Sequence, residues 1–217
     1  METTNDTVVT IYDTINRMIK RGFDIFVSFF GLIILSPLLI GTIIAIRLES
    51  KGKAIFTQER IGKDGKLFKF YKFRSMVTNA DEILEKMLKE DTEQTREYKL
   101  NKKLTDDPRV TKVGKFIRKT SIDELPQLIN VLKGEMSLIG NRPYLPREKE
   151  DMGKYFNDIV KTKPGITGLW QVSGRSNTTF EERLKLEQEY SNTCSIKLDI
   201  KIFFKTIKVV LAMCGAK

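Results

Sequence analysis

Two adjacent carboxylates, Asp123 and Glu124, stand directly before an apolar helical pattern in the stretch SIDELPQLINVLKGEMSLIGNRP, Ser121 to Pro143. The 217-residue chain contains no histidine, so chemistry here must proceed without an imidazole base. His-based triads, His-ligated zinc and His proton shuttles are excluded. An ionised aspartate can attack phosphorus as a nucleophile, and a neighbouring glutamate can hold Mg2+ through oxygen. Helix capping is the competing role, since Ser121-x-x-Glu124 fits a capping box. Pro126 argues against that register, because it would fall where a backbone donor is needed. With Asp123 as N-cap, Pro126 sits in the first turn, where its missing N–H costs little. Both acids then lie at the positive end of the helix dipole. Spacing alone leaves capping ahead of catalysis.

Basic residues supply what an anionic substrate would need. Asn141-Arg142-Pro143 and Gly174-Arg175 place guanidinium groups in stiff or glycine-rich loops, where they can grip phosphate oxygens bidentately. Lys72 and Arg74 add positive charge after a hairpin pattern. The formal net charge is +10, although Asp81 to Asp107 holds nine acids against six Lys/Arg. This balance indicates an anionic partner: nucleic acid, anionic lipid or a phosphorylated small molecule. The aromatics sit mainly in the apolar run and the hairpin rather than as a stacking platform, which speaks against nucleic acid. Cys194 and Cys214 form neither a zinc ligand set nor a disulfide framework, and read as free thiols in a reducing compartment. Carboxylates, arginines and a membrane segment together suit phosphoryl transfer to a lipid.

The elements that must position these groups begin with a polar stretch, Met1 to Asn16, a loose tail or short helix. From Ile25 to Ile46 there are 22 residues without a charge, enough for a membrane helix, interrupted at Ser36-Pro37. The proline deletes one backbone hydrogen bond, and the serine can re-satisfy the freed group. Each half, about eleven residues or roughly 16 Å long, is too short to cross alone. Arg17, Lys20 and Arg21 before the run balance Arg47, Lys51 and Lys53 after it, where a spanning helix would show asymmetry. A re-entrant hairpin and a kinked span both fit.

Alternation from Leu67 to Phe73, with Asp64-Gly65 upstream, predicts a β-hairpin. Asn79 to Lys103 reads as a solvated amphipathic helix followed by loop, and Asp106-Asp107-Pro108 as a turn. The next helix is announced around Asp123, with Leu125, Leu128, Ile129 and Leu132 on its apolar face and Gly134 at its end. A glycine-rich loop carrying Arg175 gives way to a helix after Thr178 or Thr179. In Ile196 to Met213, Lys197, Lys201, Lys205 and Lys208 form one stripe, with Ile200, Phe203, Phe204, Ile207 and Val210 largely opposite. That pattern fits a helix lying in a membrane interface, or a core-packed terminal helix with a solvated lysine face.

The stretches KRGFDIFVSFFGLIILSP, KFRSM, TSIDELPQLINVLKGEMSLIGNRP, KPGITGLWQVSGR and LDIKIFFKTIKVVL run in family order from about Arg17 to the C-terminus. Together they resemble the bacterial sugar transferases: the polyprenyl-phosphate hexose-1-phosphate transferases, or monotopic phosphoglycosyl transferases, here in minimal catalytic form. The resemblance implies a re-entrant helix broken at Ser36-Pro37. It implies that Asp123 attacks the sugar-linked phosphate of a UDP-sugar, releases UMP and forms a covalent phosphosugar intermediate. A polyprenyl phosphate, usually undecaprenyl phosphate, then takes the phosphosugar. It associates Glu124, with Asp123, with Mg2+, and assigns phosphate or nucleotide contacts to Arg142 and Arg175. Lys72 and Arg74 fall in the family's Lys-Phe-Arg motif. Asn141 stands where the family usually has proline, and Ser176 where asparagine commonly follows the arginine. GLWQVSGR with Trp170 resembles members that transfer galactose- or glucose-1-phosphate in capsule, exopolysaccharide or lipopolysaccharide assembly. N-acetylated or diamino sugars are the alternative substrates.

The expected fold is α+β and mostly helical, a monotopic membrane protein. It comprises an N-terminal tail over 1–16, a re-entrant membrane helix over 17–53, and a catalytic domain over 54–217. That domain holds a small β-hairpin and ends in an interfacial amphipathic helix, on the cytoplasmic face of the bacterial inner membrane. Expected partners are a UDP-sugar, undecaprenyl phosphate and membrane lipids, with no nucleic acid and room for a homodimer. A non-catalytic module binding anionic lipid through its basic terminal helix is the alternative from another class. Paired acids beside arginines speak against it.

Overall fold

The computed structural model describes residues 2–90, 92–101, 104, 106–174 and 178–211, with the side chains of 2–13, 99–101, 210 and 211 left aside. Helix α1, Glu2–Ile34, and helix α2, Ser36–Glu49, meet at a bend. The angle between the segment from Thr14 and α2 is 62°. Pro37 removes a donor at that joint, and Ser36 Oγ donates to Ile33 O at 2.7 Å, satisfying a carbonyl of the last turn of α1. No single helix among the described residues is long and apolar enough to cross a membrane, whereas the bent pair passes together on length and composition. Of the stretch read from sequence as a loose tail or a short helix, Glu2 to Asn16 form the first turns of the long α1. The segment has no proline or glycine before Gly22, and Val8, Ile11, Ile15 and Met18 keep a helical spacing, so nothing ends the helix there.

Strands β1, Ile55–Ile61, and β2, Leu67–Phe73, form the expected antiparallel hairpin, with Ile55 opposite Phe73 and Ile61 opposite Leu67. Its turn uses left-handed backbone at Asp64 (φ 57°) and Gly65 (φ 75°). Helix α3, Ala80–Lys89, is followed by α4, Glu93–Asn101, where the sequence suggested loop. Thr92 opens α4 by accepting the Thr95 N–H at 3.3 Å, an N-cap contact that restarts the chain as helix. Helix α5, Lys112–Lys119, was not foreseen; its cap Thr111 accepts the Gly114 N–H at 2.9 Å.

Helix α6, Gln127–Lys133, ends at Gly134 as expected. Strand β3, Ser137–Ile139, pairs in parallel with β4, Gly165–Thr167. Between them lie α7, Lys149–Met152, and α8, Phe156–Ile159; α9, Leu169–Ser173, follows β4. Helix α10, Phe180–Thr193, starts with the expected threonine cap, a capping box of Thr179 and Glu182. Helix α11 is Ile196–Leu211.

The result, among the described residues, is a mostly helical α+β fold with two small sheets. Ile46, Ala54, Phe73 and Ile117 join α2 to the hairpin and α5, while Phe70, Val131 and Met136 join the hairpin to α6. Ile139, Tyr190 and Ile202 join β3 to α10 and α11. Helix α11 has one buried and one exposed apolar face. Ile202 is core, yet Ile200, Phe204 and Ile207 are exposed beside the exposed lysines.

Candidate active site

The carboxylate pair is positioned by a break in the chain rather than by a helix cap. Ser121 adopts left-handed backbone (φ 58°) after α5, and Ile122–Glu124 form a 3-10 turn. Its backbone bonds are Glu124 N–H to Ser121 O at 3.2 Å and Leu125 N–H to Ile122 O at 3.1 Å. Helix α6 begins only after Pro126, and the Ser121 side chain makes no cap bond. The expected N-cap role of Asp123 is therefore corrected. The 3-10 turn absorbs the acids, and proline, with no N–H to satisfy, takes the cap position.

Asp123 is buried, its side chain 4% exposed, and its Oδ2 lies 2.7 Å from Nζ of Lys72 on β2, whose side chain is 27% exposed. Arg118, from the last turn of α5, faces the same carboxylate. Burial pushes its guanidinium pKa down, while Asp123 and Asp107 pull it back up. Its Nε donates to Ser75 Oγ at 2.8 Å. Glu124 is half-buried beside them.

Lys72 and Arg118 also line a cavity of about 800 Å³, which Arg60, Arg142, Arg147 and Glu148 line further along. Asp123 lies behind Lys72 and is not part of the wall. Arg142 Nη2 lies 3.8 Å from Glu148 Oε1, and its guanidinium sits over the Tyr144 ring at 5.4 Å. Burial, with Arg142 and Arg147 nearby, pushes Arg60 down to about 10 against the pull of Glu148. Partly desolvated arginines crowded this closely favour a bound anion.

The structure thus brings Lys72 to Asp123 and places Arg142 on the adjoining cavity. Arg74 lines the same cavity, and its guanidinium donates to Lys51 O at 2.9 Å and to Ser50 O and Oγ at 2.8 Å, tying the hairpin to the end of α2. Arg175 and Ser176 lie outside the described residues, as does Cys214, and the exposed Cys194 donates its Sγ–H to Ser191 O at 3.7 Å. Trp170 lies under the Arg183 guanidinium at 4.6 Å. Arg60, Arg118, Arg147 and Glu148 were not singled out from sequence.

Mg2+ requires only one or two carboxylates, completed by substrate phosphates and water. Asp123 and Glu124 offer such a donor set, and among the described residues no larger His, Cys, Asp or Glu cage forms.

The fold thus joins a bent apolar helix pair to a buried, lysine-paired carboxylate beside an arginine-rich cavity. Residues 15–213 match the bacterial sugar transferase family, and the chain belongs to it. It is 48% identical to the undecaprenyl-phosphate galactose phosphotransferase of Salmonella typhimurium, over 93% of this chain and 42% of that protein. It is 40% identical to the UDP-glucose:undecaprenyl-phosphate glucose-1-phosphate transferase of Escherichia coli, over 92% of this chain and 42% of that protein. The exopolysaccharide production protein ExoY of Sinorhizobium fredii is 39% identical over 91% of this chain and 87% of its own length. The chain therefore spans about two fifths of the first two relatives and most of the third.

Proposed function

We propose that this chain transfers hexose-1-phosphate from a UDP-sugar to undecaprenyl phosphate, releasing UMP, as the first membrane step of exopolysaccharide or capsule assembly. The observation that carries this reading is the buried Asp123 carboxylate paired with Lys72, a lysine that itself lines an arginine-rich cavity.

An Asp123 oxygen attacks the sugar-bearing phosphorus, the bond from phosphorus to the bridging oxygen breaks, and UMP leaves with that oxygen. An oxygen of undecaprenyl phosphate then attacks the same phosphorus and frees the aspartate. Neither step removes a proton from the nucleophile, so the absence of histidine costs nothing. An arriving phosphate competes for Lys72, draws the ammonium away and uncovers the carboxylate, while Arg118, Arg142 and Arg175 offset phosphate charge. Asp123 and Glu124 would hold Mg2+, which supplies neutralisation of the leaving phosphate.

Relatives named for galactose and glucose-1-phosphate transfer support a plain hexose over an N-acetylated or diamino sugar. The unit 17–53 re-enters the cytoplasmic leaflet, and 54–217 carries the chemistry. The test offers a panel of UDP-sugars with Mg2+ and undecaprenyl phosphate to the protein and to Asp123→Asn. UMP release from one sugar, lost in the variant, is expected. Release of UDP would mean ordinary glycosyl transfer and remove the role given to Asp123. No release by folded, membrane-bound protein would favour a lipid-binding module.

A further inference from the structure

Helix α10 carries a buried carboxylate that the proposed transfer does not use. Glu187 is 1% exposed, on the inner face of the helix with Leu184 and Tyr190. Its Oε1 accepts the backbone N–H of Arg142 at 3.0 Å, and its Oε2 is buried, with the Tyr144 side chain beside the carboxyl group. A carboxyl group in a dry interior is costly, so packing alone would be better served there by an apolar side chain. Arg183 Nε is likewise buried, and Tyr144 and Arg183 face Glu187 together with Arg142.

The segment that Glu187 holds is tied at each neighbouring peptide. Asn141 O accepts from Gly165 N at 2.7 Å, and Tyr144 O from Ile61 N at 2.8 Å. Pro143 O accepts from Arg60 Nη1 at 3.0 Å. Asn141 Nδ2 donates to Ser191 Oγ at 2.6 Å, one turn further along α10. Pro143 has no N–H, so Arg142 offers the last donor before Tyr144, and Glu187 takes it. The Arg142 guanidinium is less firmly held, with Glu148 at 3.8 Å and the Tyr144 ring at 5.4 Å. Its aim therefore depends on its backbone.

We infer that Glu187 is a positioning residue: it fixes the Arg142 peptide and so directs that guanidinium toward the phosphate-bearing ligand of the cavity. This rests on the cavity being the UDP-sugar site.

The test compares Glu187→Gln and Glu187→Met in the full chain. Both replacements nearly keep the volume, but only glutamine keeps an acceptor. Three quantities are read: hydrogen exchange at the Arg142 amide, the thermal midpoint, and kcat and KM for UDP-sugar and for undecaprenyl phosphate. Glu187→Gln is expected to keep amide protection and near-wild-type kinetics. Glu187→Met is expected to remain folded, lose protection and lose about 10–100-fold in kcat/KM for UDP-sugar, with KM for the lipid unchanged. The assignment is overturned if Glu187→Met keeps wild-type exchange or kcat/KM, or if both variants lose alike. It is also overturned if Glu187→Met fails to fold while Glu187→Gln folds. Exchange needs no turnover, so a wild-type protein that releases no UMP would sink the proposed function while Glu187 is still judged.

Discussion

At the scale of single residues, the Asp123–Lys72 pair is asymmetric in exposure, and this sets which half can be removed. Asp123 is 4% exposed at its side chain and Lys72 27%. Deleting Lys72 leaves a buried carboxylate without its counter-charge, a loss of about 3–5 kcal/mol for such pairs. Deleting the carboxylate charge leaves an ammonium that water can reach. Lys72→Met should therefore lower the thermal midpoint more than Asp123→Asn, as differential scanning calorimetry would show. Glu187 gives the pH dependence. Burial raises its pKa to about 8, against the pull of Arg142 and Arg183. The folded chain holds a proton that the unfolded chain releases, so this contribution is fully present below the unfolded pKa near 4.5 and fades as pH rises toward 8. It amounts to a loss on the order of 4 kcal/mol, and Glu187→Gln should flatten the fall in midpoint between acidic and mildly alkaline pH. Adjacency made Asp123-Glu124 legible in the sequence. Their partners were not, because strand alternation extends only to Phe73. It places Lys72 on β2, but Arg74 lies beyond the strand end, where the chain turns it to Ser50 and Lys51.

At the scale of elements, the hairpin and α10 follow from local patterns: turn residues with alternation in one, a threonine–glutamate cap in the other. Strands β3 and β4 were invisible because three residues show no period, and their pairing is parallel and distant. What permits it is close backbone approach. A Cβ on Gly165 would lie 2.1 Å from Gly140 N, and one on Gly140 2.3 Å from Lys163 O. The 3-10 turn at Asp123 was equally hidden, since Ser121 enters left-handed backbone without being glycine or asparagine. Gly165→Ala should force the strands apart at a cost of about 1–3 kcal/mol or more. Because Gly165 N–H also holds Asn141 O, the same substitution should weaken UDP-sugar turnover beyond the stability loss. UMP release measured well below the variant's midpoint would separate the two effects.

At the scale of the whole molecule, both ends of the bent helix pair fasten to the same body. On α1, Lys20 donates to Ile139 O at 2.9 Å and pairs with Asp199, and Arg21 donates to Val131 O at 2.6 Å and Leu132 O at 2.9 Å. At the far end, Glu49 accepts from Lys112 N at 2.7 Å and Val113 N at 3.0 Å, and Ser50 and Lys51 accept from Arg74. Between these anchors, Phe26, Phe29, Phe30, Ile33, Ile34 and Ile40 are exposed, an apolar surface that water penalises and lipid does not. Phe23 meets Phe203 edge-on at 6.3 Å, so the exposed apolar edge of α11 lies beside the same surface. On the re-entrant reading proposed above, the pair, tied at both ends to one body, leaves and returns on one side. Single cysteines replacing Asn16 and Lys53, in a chain with Cys194→Ser and Cys214→Ser, should both react with an impermeant thiol reagent from the cytoplasmic side only. Labelling of one flank from the opposite side would mean a kinked span, which would require the Lys20 and Arg21 contacts with β3 and α6 to break.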